Sequence, residues 1–497
     1  MPSIRKTKTA TGATAVQVVR YEQRKVVILK HIGSAHTEPE VLALIESARS
    51  WIEKEWPQRS FLPPQPNRLL HLDHARFVGV RHTFAYEFLH HLTKVCGFTN
   101  LDNQLFLDLV IMRIFEPCSK LQSLVLLKRY FGIEYTERTL YRTLQKFALL
   151  KEKVEKISIA VATEKLEEDL AFVLYDVTTL YFESFTADEF RKPGFSKDNK
   201  SNQPQIVIGL LVTTTGFPLG YEVFAGNIFE GHTMIPVIKA FKIDHQVERL
   251  TVVADAAMLS QTIIAELIKE GLSYIVGGRV ANLSTTVINT ITKELGQTNG
   301  KTIRLPTKHG DLIGEFSAIR FRKNKYELEK QIAKATALVK KCEPGKRAKF
   351  VAVTKEKEGY ILNQELIEKT KKLLGIKGYY TNLPAATLSD SAIIAQYHNL
   401  WHVEHSFRMT KSDLIARPIF HYKKEAIQAH LLICFTALSI GKYLEIETGI
   451  SLKRIVEHLQ SVTDVSIVDG LTRQTIVLRS ELSEEVNDLI RQFGMSY

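Results

Sequence analysis

The stretch FVLYDVTTLYF, residues 172–182, decides how the rest of the chain reads. Every residue in it is apolar, aromatic or β-branched except Asp176. That composition over that length predicts a buried strand, and a carboxylate set into such a strand is costly unless something compensates it. Four more strand candidates follow: Ile206–Thr213, Pro218–Phe224 after the turn at Gly216, Leu250–Ala254 and Tyr274–Val276. Helical periodicity at His232–Phe241 and Leu259–Glu270 separates the later ones. Three strands with hairpin-like connections, then helix, strand, helix, strand, predict an α/β fold: a mixed sheet with helices packed on it.

Upstream, residues 1–66 read as a basic hairpin (Ala15 to Val19, a turn around Glu22, Val26 to Leu29) and a helix between Glu38 and Lys54. WPQRSFLPPQP, from Trp56 to Pro66, is the clearest linker. Residues 67–170 are helical in period, with few strand signals. Within them Ser119–Phe131 predicts a helix ending at Gly132, and Thr136 caps another carrying Arg138 and Arg142. The pair has helix–turn–helix-like spacing, which suits an ordinary packed pair as well as a DNA-end-binding domain. Residues 171–279 and 376–445 belong together as a core. Residues 280–375 interrupt it with Thr-rich strand-like pieces and a basic helix, Lys323–Lys341, and residues 446–497 form an appendage of mixed signals.

The chain has 497 residues, 45% hydrophobic and 24% charged, which predicts several folded domains and excludes wholesale disorder. Four cysteines without a CxxC pair argue against a disulfide scaffold or a cysteine zinc site. No secretory leader is recognisable, and the longest apolar run, Leu431–Ile440, is half of the roughly 20 residues a membrane span needs. A cytoplasmic protein with a buried helix there is the expectation. The net charge of +12 is concentrated: residues 1–30 hold seven basic and one acidic side chain, residues 301–350 fourteen and five. The remainder is slightly negative, so two local basic segments suit polyanion contact.

Three carboxylates carry the chemistry. Asp176 interrupts its strand, Asp255 ends the strand at Ala254, and Glu404 sits in the helical tract YHNLWHVEHSFRMTK, residues 397–411. At 3.6 residues per turn Tyr397, Leu400, Glu404, Arg408 and Lys411 share one face of that tract. Each acid alone suits a blander role; Asp255 would cap a helix starting near Met258, and Glu404–Arg408 would be an i,i+4 pair. His398, His402 and His405 offer nitrogen ligands, but no HExxH motif is present. Converging carboxylates repel unless a cation lies among them. Hard oxygen donors select Mg²⁺ or Mn²⁺, and two such ions suit phosphodiester chemistry.

The order Asp176, Asp255, Glu404 on a mixed sheet resembles the DDE transposases of bacterial insertion sequences. The likeness is to the branch with a large insertion before the glutamate and a Tyr-Arg-Glu-Lys signature. Tyr397, Glu404 and Lys411 stand at signature positions, whereas Leu400 stands where the arginine would be. The stretches YDVTTLYFE, VVADAAML, GYYTNL and RPIFH support the likeness over residues 171–440. It implies a ribonuclease-H-like catalytic core with an inserted subdomain, and cut-and-paste DNA transposition: cleavage at terminal inverted repeats, then strand transfer. Asp176, Asp255 and Glu404 would be catalytic metal ligands for two Mg²⁺ or Mn²⁺ ions. Tyr397, Arg408 and Lys411 would contact DNA, as would Arg320, Arg322 and Lys323 of the insertion and Arg138 and Arg142 upstream. Double-stranded DNA, a homodimer on paired ends and a cytoplasmic, nucleoid-associated location in a bacterium complete the expectation. A nuclease that never joins strands and a non-catalytic DNA-binding derivative are the competing classes.

Overall fold

Alternating apolar residues in the first thirty-five positions build a three-stranded antiparallel sheet, β1 (Ser3–Lys8), β2 (Thr14–Glu22) and β3 (Lys25–Ala35). The expected hairpin is β2–β3; Gln23 and Arg24 of its turn lie outside the described residues. Helix α1 (Glu38–Glu55) closes this sheet, packing Leu44, Ile45 and Ala48 on Val16 and Val18. The computed structural model describes residues 2–22, 25–55, 75–184, 186–195, 202–245, 247, 249–256, 260–308, 310–341, 348–353, 360–469 and 475–495. The proline-rich linker at 57–66 falls outside them.

Next come β4 (Ala75–Arg81) and five helices: α2 (Thr83–Val95), α3 (Gln104–Phe115), α4 (Lys120–Leu126), α5 (Glu137–Phe147) and α6 (Lys151–Ala160). Helix α4 continues as a wider turn to Phe131 and stops at Gly132, whose φ of 74° terminates it as the sequence anticipates. Thr136 caps α5, its hydroxyl accepting from the Thr139 N–H at 3.1 Å. Strand β4 lies within residues 67–170, which read as helical with few strand signals. Its partner is β15 (Asp464–Asp469), so local periodicity carries no sign of the pairing.

The strands and helices of the core follow: β5 (Phe172–Tyr181), β6 (Gln205–Val212), β7 (Pro218–Ala225), α7 (Gly231–Asp244), β8 (Thr251–Ala254), α8 (Gln261–Lys269) and β9 (Ser273–Gly278). Then come α9 (Thr285–Leu295), β10 (Thr302–Thr307), β11 (Gly310–Phe316), α10 (Ala318–Lys341), β12 (Val351–Val353), β13 (Tyr360–Leu362), α11 (Gln364–Lys372) and β14 (Ile376–Thr381). Helices α12 (Asp390–His398), α13 (Trp401–Ser412), α14 (Lys424–Thr448) and α15 (Leu452–Ser461) lead to β15, β16 (Thr475–Arg479) and α16 (Glu484–Gln492).

The large sheet has eight strands in the order β10-β11-β14-β9-β8-β5-β6-β7. β5, β8 and β9 run parallel, β6 is antiparallel to both its neighbours, and β14, β11 and β10 continue antiparallel beyond β9. The stretch 280–375, expected as an inserted subdomain, thus gives its first hairpin to this sheet. Its α10 and α11 pack Leu328, Ala335 and Ile367 against Phe350 in a small core of their own. Helix α14 is long and apolar enough to cross a membrane, yet it is almost entirely buried inside the protein and is not a span.

The chain divides into two compact units, one formed by residues 1–89, 125–134 and 456–497, the other by 90–124 and 135–455. In the first, β16-β15-β4 make a second three-stranded sheet. The buried Asp464 accepts from Thr83 N–H at 3.1 Å and pairs with the Arg479 guanidinium. The second unit contains the eight-stranded sheet and all the residues of the site below.

Candidate active site

Parallel strands β5 and β8 align Phe172 with Thr251 and Tyr175 with Ala254. One step beyond that last pair stand Asp176 and Asp255. Neighbours in register on adjacent strands are roughly 4.8 Å apart, so the pairing of Tyr175 with Ala254 brings the residues that follow, Asp176 within β5 and Asp255 just past β8, near each other. The capping role open to Asp255 is filled by Ser260, whose hydroxyl accepts from Ile263 N–H at 3.2 Å.

Glu404 comes from the first turn of α13. The buried Ser406 on this helix donates to the Gly216 carbonyl at 2.9 Å, fixing α13 to the β6–β7 turn. Gly216 has a φ of 90°, and a Cβ there would lie 3.0 Å from the His402 Cβ, so the contact requires glycine on both counts. The single helix expected over 397–411 is two helices: α12 ends at His398 and α13 begins at Trp401. No proline or glycine marks the break, which is why periodicity reads through it.

Asp176, Asp255 and Glu404 line one cavity of about 360 Å³ with Lys377, Tyr397, His398, Leu400, Trp401 and Val403. Tyr397 donates its hydroxyl proton to Asp255 Oδ1 at 2.9 Å. Burial and the Asp255 charge hold that phenol well above its ordinary range, so it remains a donor. Room for the hydroxyl comes from Gly277 on β9, where a Cβ would sit 2.5 Å from it. Leu400, at the signature arginine position, is buried in the cavity wall.

Lys377 is the residue that sequence reasoning missed. Its Nζ lies 4.1 Å from the Tyr397 ring centroid and 5.3 Å from that of Tyr379. Burial, then the Arg320 guanidinium, push its pKa down to about 8 against the pull of Asp255, Glu315 and Glu404. The signal was available, because Lys377 interrupts a strand just before Gly378-Tyr379-Tyr380, as Asp176 interrupts β5. Tyr379 donates to Glu315 at 3.1 Å and lies 3.3 Å from His398 Nε2.

The remaining sequence candidates are dispersed. Lys411 lines a different hollow beside Thr178 and Leu180, farther along β5. Arg408 is exposed, acts on His405 and Asp413, and does not line the carboxylate cavity. Arg320 is half-buried and near enough to bias Lys377, Tyr397 and His398, whereas Arg322 and Lys323 are exposed on α10. Arg138 and Arg142 are exposed on α5. Burial and Lys377 push His398 down, burial and Lys442 push His402 to about 4, and both favour neutral rings.

Three carboxylates without a sulfur ligand form a hard-oxygen donor set that fits a Mg²⁺-like ion. Among the described residues, however, no three His, Cys, Asp or Glu side chains already stand grouped as a metal site.

Residues 168–440, more than half of the chain, match the family described as "Transposase DDE domain". The chain belongs to the DDE transposases. The match spans β5 through most of α14 and contains every residue of the carboxylate cavity. Among solved structures this DDE transposase is similar to a piggyBac transposase seen by cryo-EM in a synaptic complex with hairpin DNA. Identity is 12% over 84% of this chain and 76% of that one, with a TM-score of 0.36. No curated protein matches it.

Proposed function

We propose that this DDE transposase cleaves DNA at the terminal inverted repeats of an insertion sequence and joins the freed 3′ ends to new DNA. The observation that carries the reading is that Asp176, Asp255 and Glu404 line one cavity, Asp176 in the middle of β5 and Asp255 just past the end of the parallel strand β8, each one step beyond the paired Tyr175 and Ala254. The order β7-β6-β5-β8-β9, with β6 alone antiparallel, supports a ribonuclease-H-like core.

Asp176, Asp255 and Glu404 would hold two divalent ions. Asp255 and Glu404 are exposed and line the same cavity as Asp176, so their side chains are free to turn toward an ion bound there. Bound there, Mg²⁺ or Mn²⁺ would supply Lewis-acid activation of the attacking oxygen and stabilisation of the leaving one. Tyr397 holds Asp255 in place through its donated hydrogen bond. Lys377 and Arg320 supply positive charge beside the cavity, where Leu400 supplies none, and suit a phosphate of the bound strand. Arg322 and Lys323, exposed on the same helix as Arg320, would extend that field along a duplex, and Arg138 and Arg142, exposed on α5, would offer further phosphate contacts.

The test uses DNA carrying the repeats that flank this reading frame, incubated with wild type and Glu404→Gln in Mg²⁺ or Mn²⁺. Breaks at the repeat ends, at least about a hundredfold slower in Glu404→Gln, are the expected result. Breaks with no joining of a precleaved 3′-hydroxyl end would make the protein a nuclease. Salt-sensitive binding without cleavage in either protein would make it a DNA-binding derivative.

A further inference from the structure

A second cavity, of about 710 Å³, shares no lining residue with the carboxylate site. It lies between the start of α4, the α5 face bearing Leu140 and Tyr141, and the segment from Ile415 to Lys423. Its volume is within the usual range of small-ligand sites, roughly 300–1,000 Å³.

Lys120 is buried within it, 6% exposed. Its Nζ stands 2.9 Å from His421 Nε2 and 2.9 Å from His430 Nδ1. His430 Nε2 is 2.9 Å from the Ala416 carbonyl and must carry the proton there, so Nδ1 accepts from the lysine. Burial and the Lys120 charge push both histidines down, His421 to about 3, so they are neutral acceptors rather than competing cations. Arg113, also buried, lines the same cavity and donates to the Leu414 and Ile415 carbonyls at 3.4 Å. Among the described residues no carboxylate lines this cavity.

Two buried cationic side chains in a cavity that no described carboxylate lines depart from the usual pairing of buried charge. The consequence falls on Lys120, which burial and Arg113 push down to about 7, with only the weak counter-pull of Cys434 and Cys118. An ammonium with two neutral acceptors has one N–H left to donate, and an anion is the partner its environment lacks. The outer walls have a different chemistry. Tyr141, Phe420 and Tyr422 are each more than half exposed, and Arg138 and Arg142 stand exposed on the same helix as Tyr141. Aromatic faces beside a cationic helix match a base attached to a phosphate.

We propose that this cavity binds a nucleotide, with a phosphate oxygen accepting from Lys120 Nζ and the base lying against Tyr422. The nucleotide comes from an unpaired stretch of DNA strand or free from solution. The site is separate from the carboxylates and needs no divalent ion.

The full chain is titrated calorimetrically in EDTA with dAMP, with a short oligothymidylate lacking any repeat sequence, and with inorganic phosphate. Wild type and Glu404→Gln should bind one or both nucleotide ligands alike. At pH 8 binding should take up a proton as the anion holds Lys120 charged, read from heats in buffers of different ionisation enthalpy. Lys120→Met and Tyr422→Ala should each weaken binding about tenfold or more. Oligothymidylate bound without dAMP identifies a strand as the source; dAMP competing with it identifies the free nucleotide. Failure of both to bind, or affinities unchanged in the two variants, overturns the proposal. Phosphate bound as tightly as dAMP, indifferent to Tyr422→Ala, reduces the cavity to an anion site and overturns the nucleotide assignment. Because Tyr422 is exposed, its variant decides the matter even where Lys120→Met does not fold. Loss of cleavage in Glu404→Gln leaves this result untouched, so the two readings fail independently.

Discussion

Tyr397 holds Asp255 by one hydrogen bond and faces Lys377 with its ring, and the two functions separate on substitution. Tyr397→Phe keeps the ring and removes the donor to a charged acceptor, a loss of about 1.5–3 kcal/mol in the arrangement of Asp255. Cleavage should fall roughly ten- to a hundredfold, with the melting temperature little changed, as single-turnover kinetics and calorimetry would read. Gly277→Ala attacks the same bond from β9. Its new methyl would stand where the hydroxyl passes, 2.5 Å from it, and should lower cleavage at least as far as Tyr397→Phe. An unaffected Gly277→Ala enzyme would show that Tyr397 does not work through this contact. The sequence disclosed Asp176 because a carboxylate inside an apolar strand is conspicuous. It could not disclose Gly277, whose importance lies in a side chain arriving from α12.

At the scale of elements, strands β5 to β9 were legible because each is a short apolar run bounded by turn residues. Legibility failed where a partner was remote or a break unmarked. ARFVGVR becomes β4 only because β15 lies beside it, and the tract around Glu404 divides at Asn399 and Leu400 without a helix breaker. The β4–β15–β16 sheet also carries a pH dependence. Burial raises the Asp464 carboxyl, but hydrogen bonds from Arg479 and Thr83 outweigh it and leave the pKa below its ordinary value. A depressed folded-state pKa stabilises above the unfolded value, near 3.9, and that stabilisation is lost as pH falls through the folded value. Asp464→Asn should therefore lower stability by about 2 kcal/mol at pH 7. The gap from wild type should close below about pH 4, as urea unfolding at the two pH values would read. A gap of the same size at both would assign the loss to packing.

Across the whole molecule, charge was legible as two basic segments but its deployment was not. The segment 301–350 divides between β10 and β11, inside the large sheet, and the exposed side of α10. Arg304 is spent on ion pairs with Asp311 and Asp390 at 2.8 and 3.0 Å, whereas Arg322 and Lys323 face solvent. Salt dependence separates these roles. Replacing Arg322 and Lys323 together with alanine should reduce the slope of log K against log salt by about two for duplex DNA, leaving stability unchanged. An unchanged slope would remove α10 from the DNA-contacting surface.

The hydrogen bond from Thr83 to Asp464 joins positions 381 residues apart. A ribosome adding roughly 5–20 residues per second needs on the order of tens of seconds to pass from one to the other. Throughout that interval β4 has been made but β15 has not, while β5 to β9 can already pair with one another. The order of synthesis therefore lets the carboxylate-bearing sheet assemble first and makes closure of the β4 sheet a late event. Meanwhile β4 has neither edge paired, the kind of surface that chaperones recognise; β15 later covers one edge, while Phe77, Val78 and Val80 stay exposed in the finished sheet.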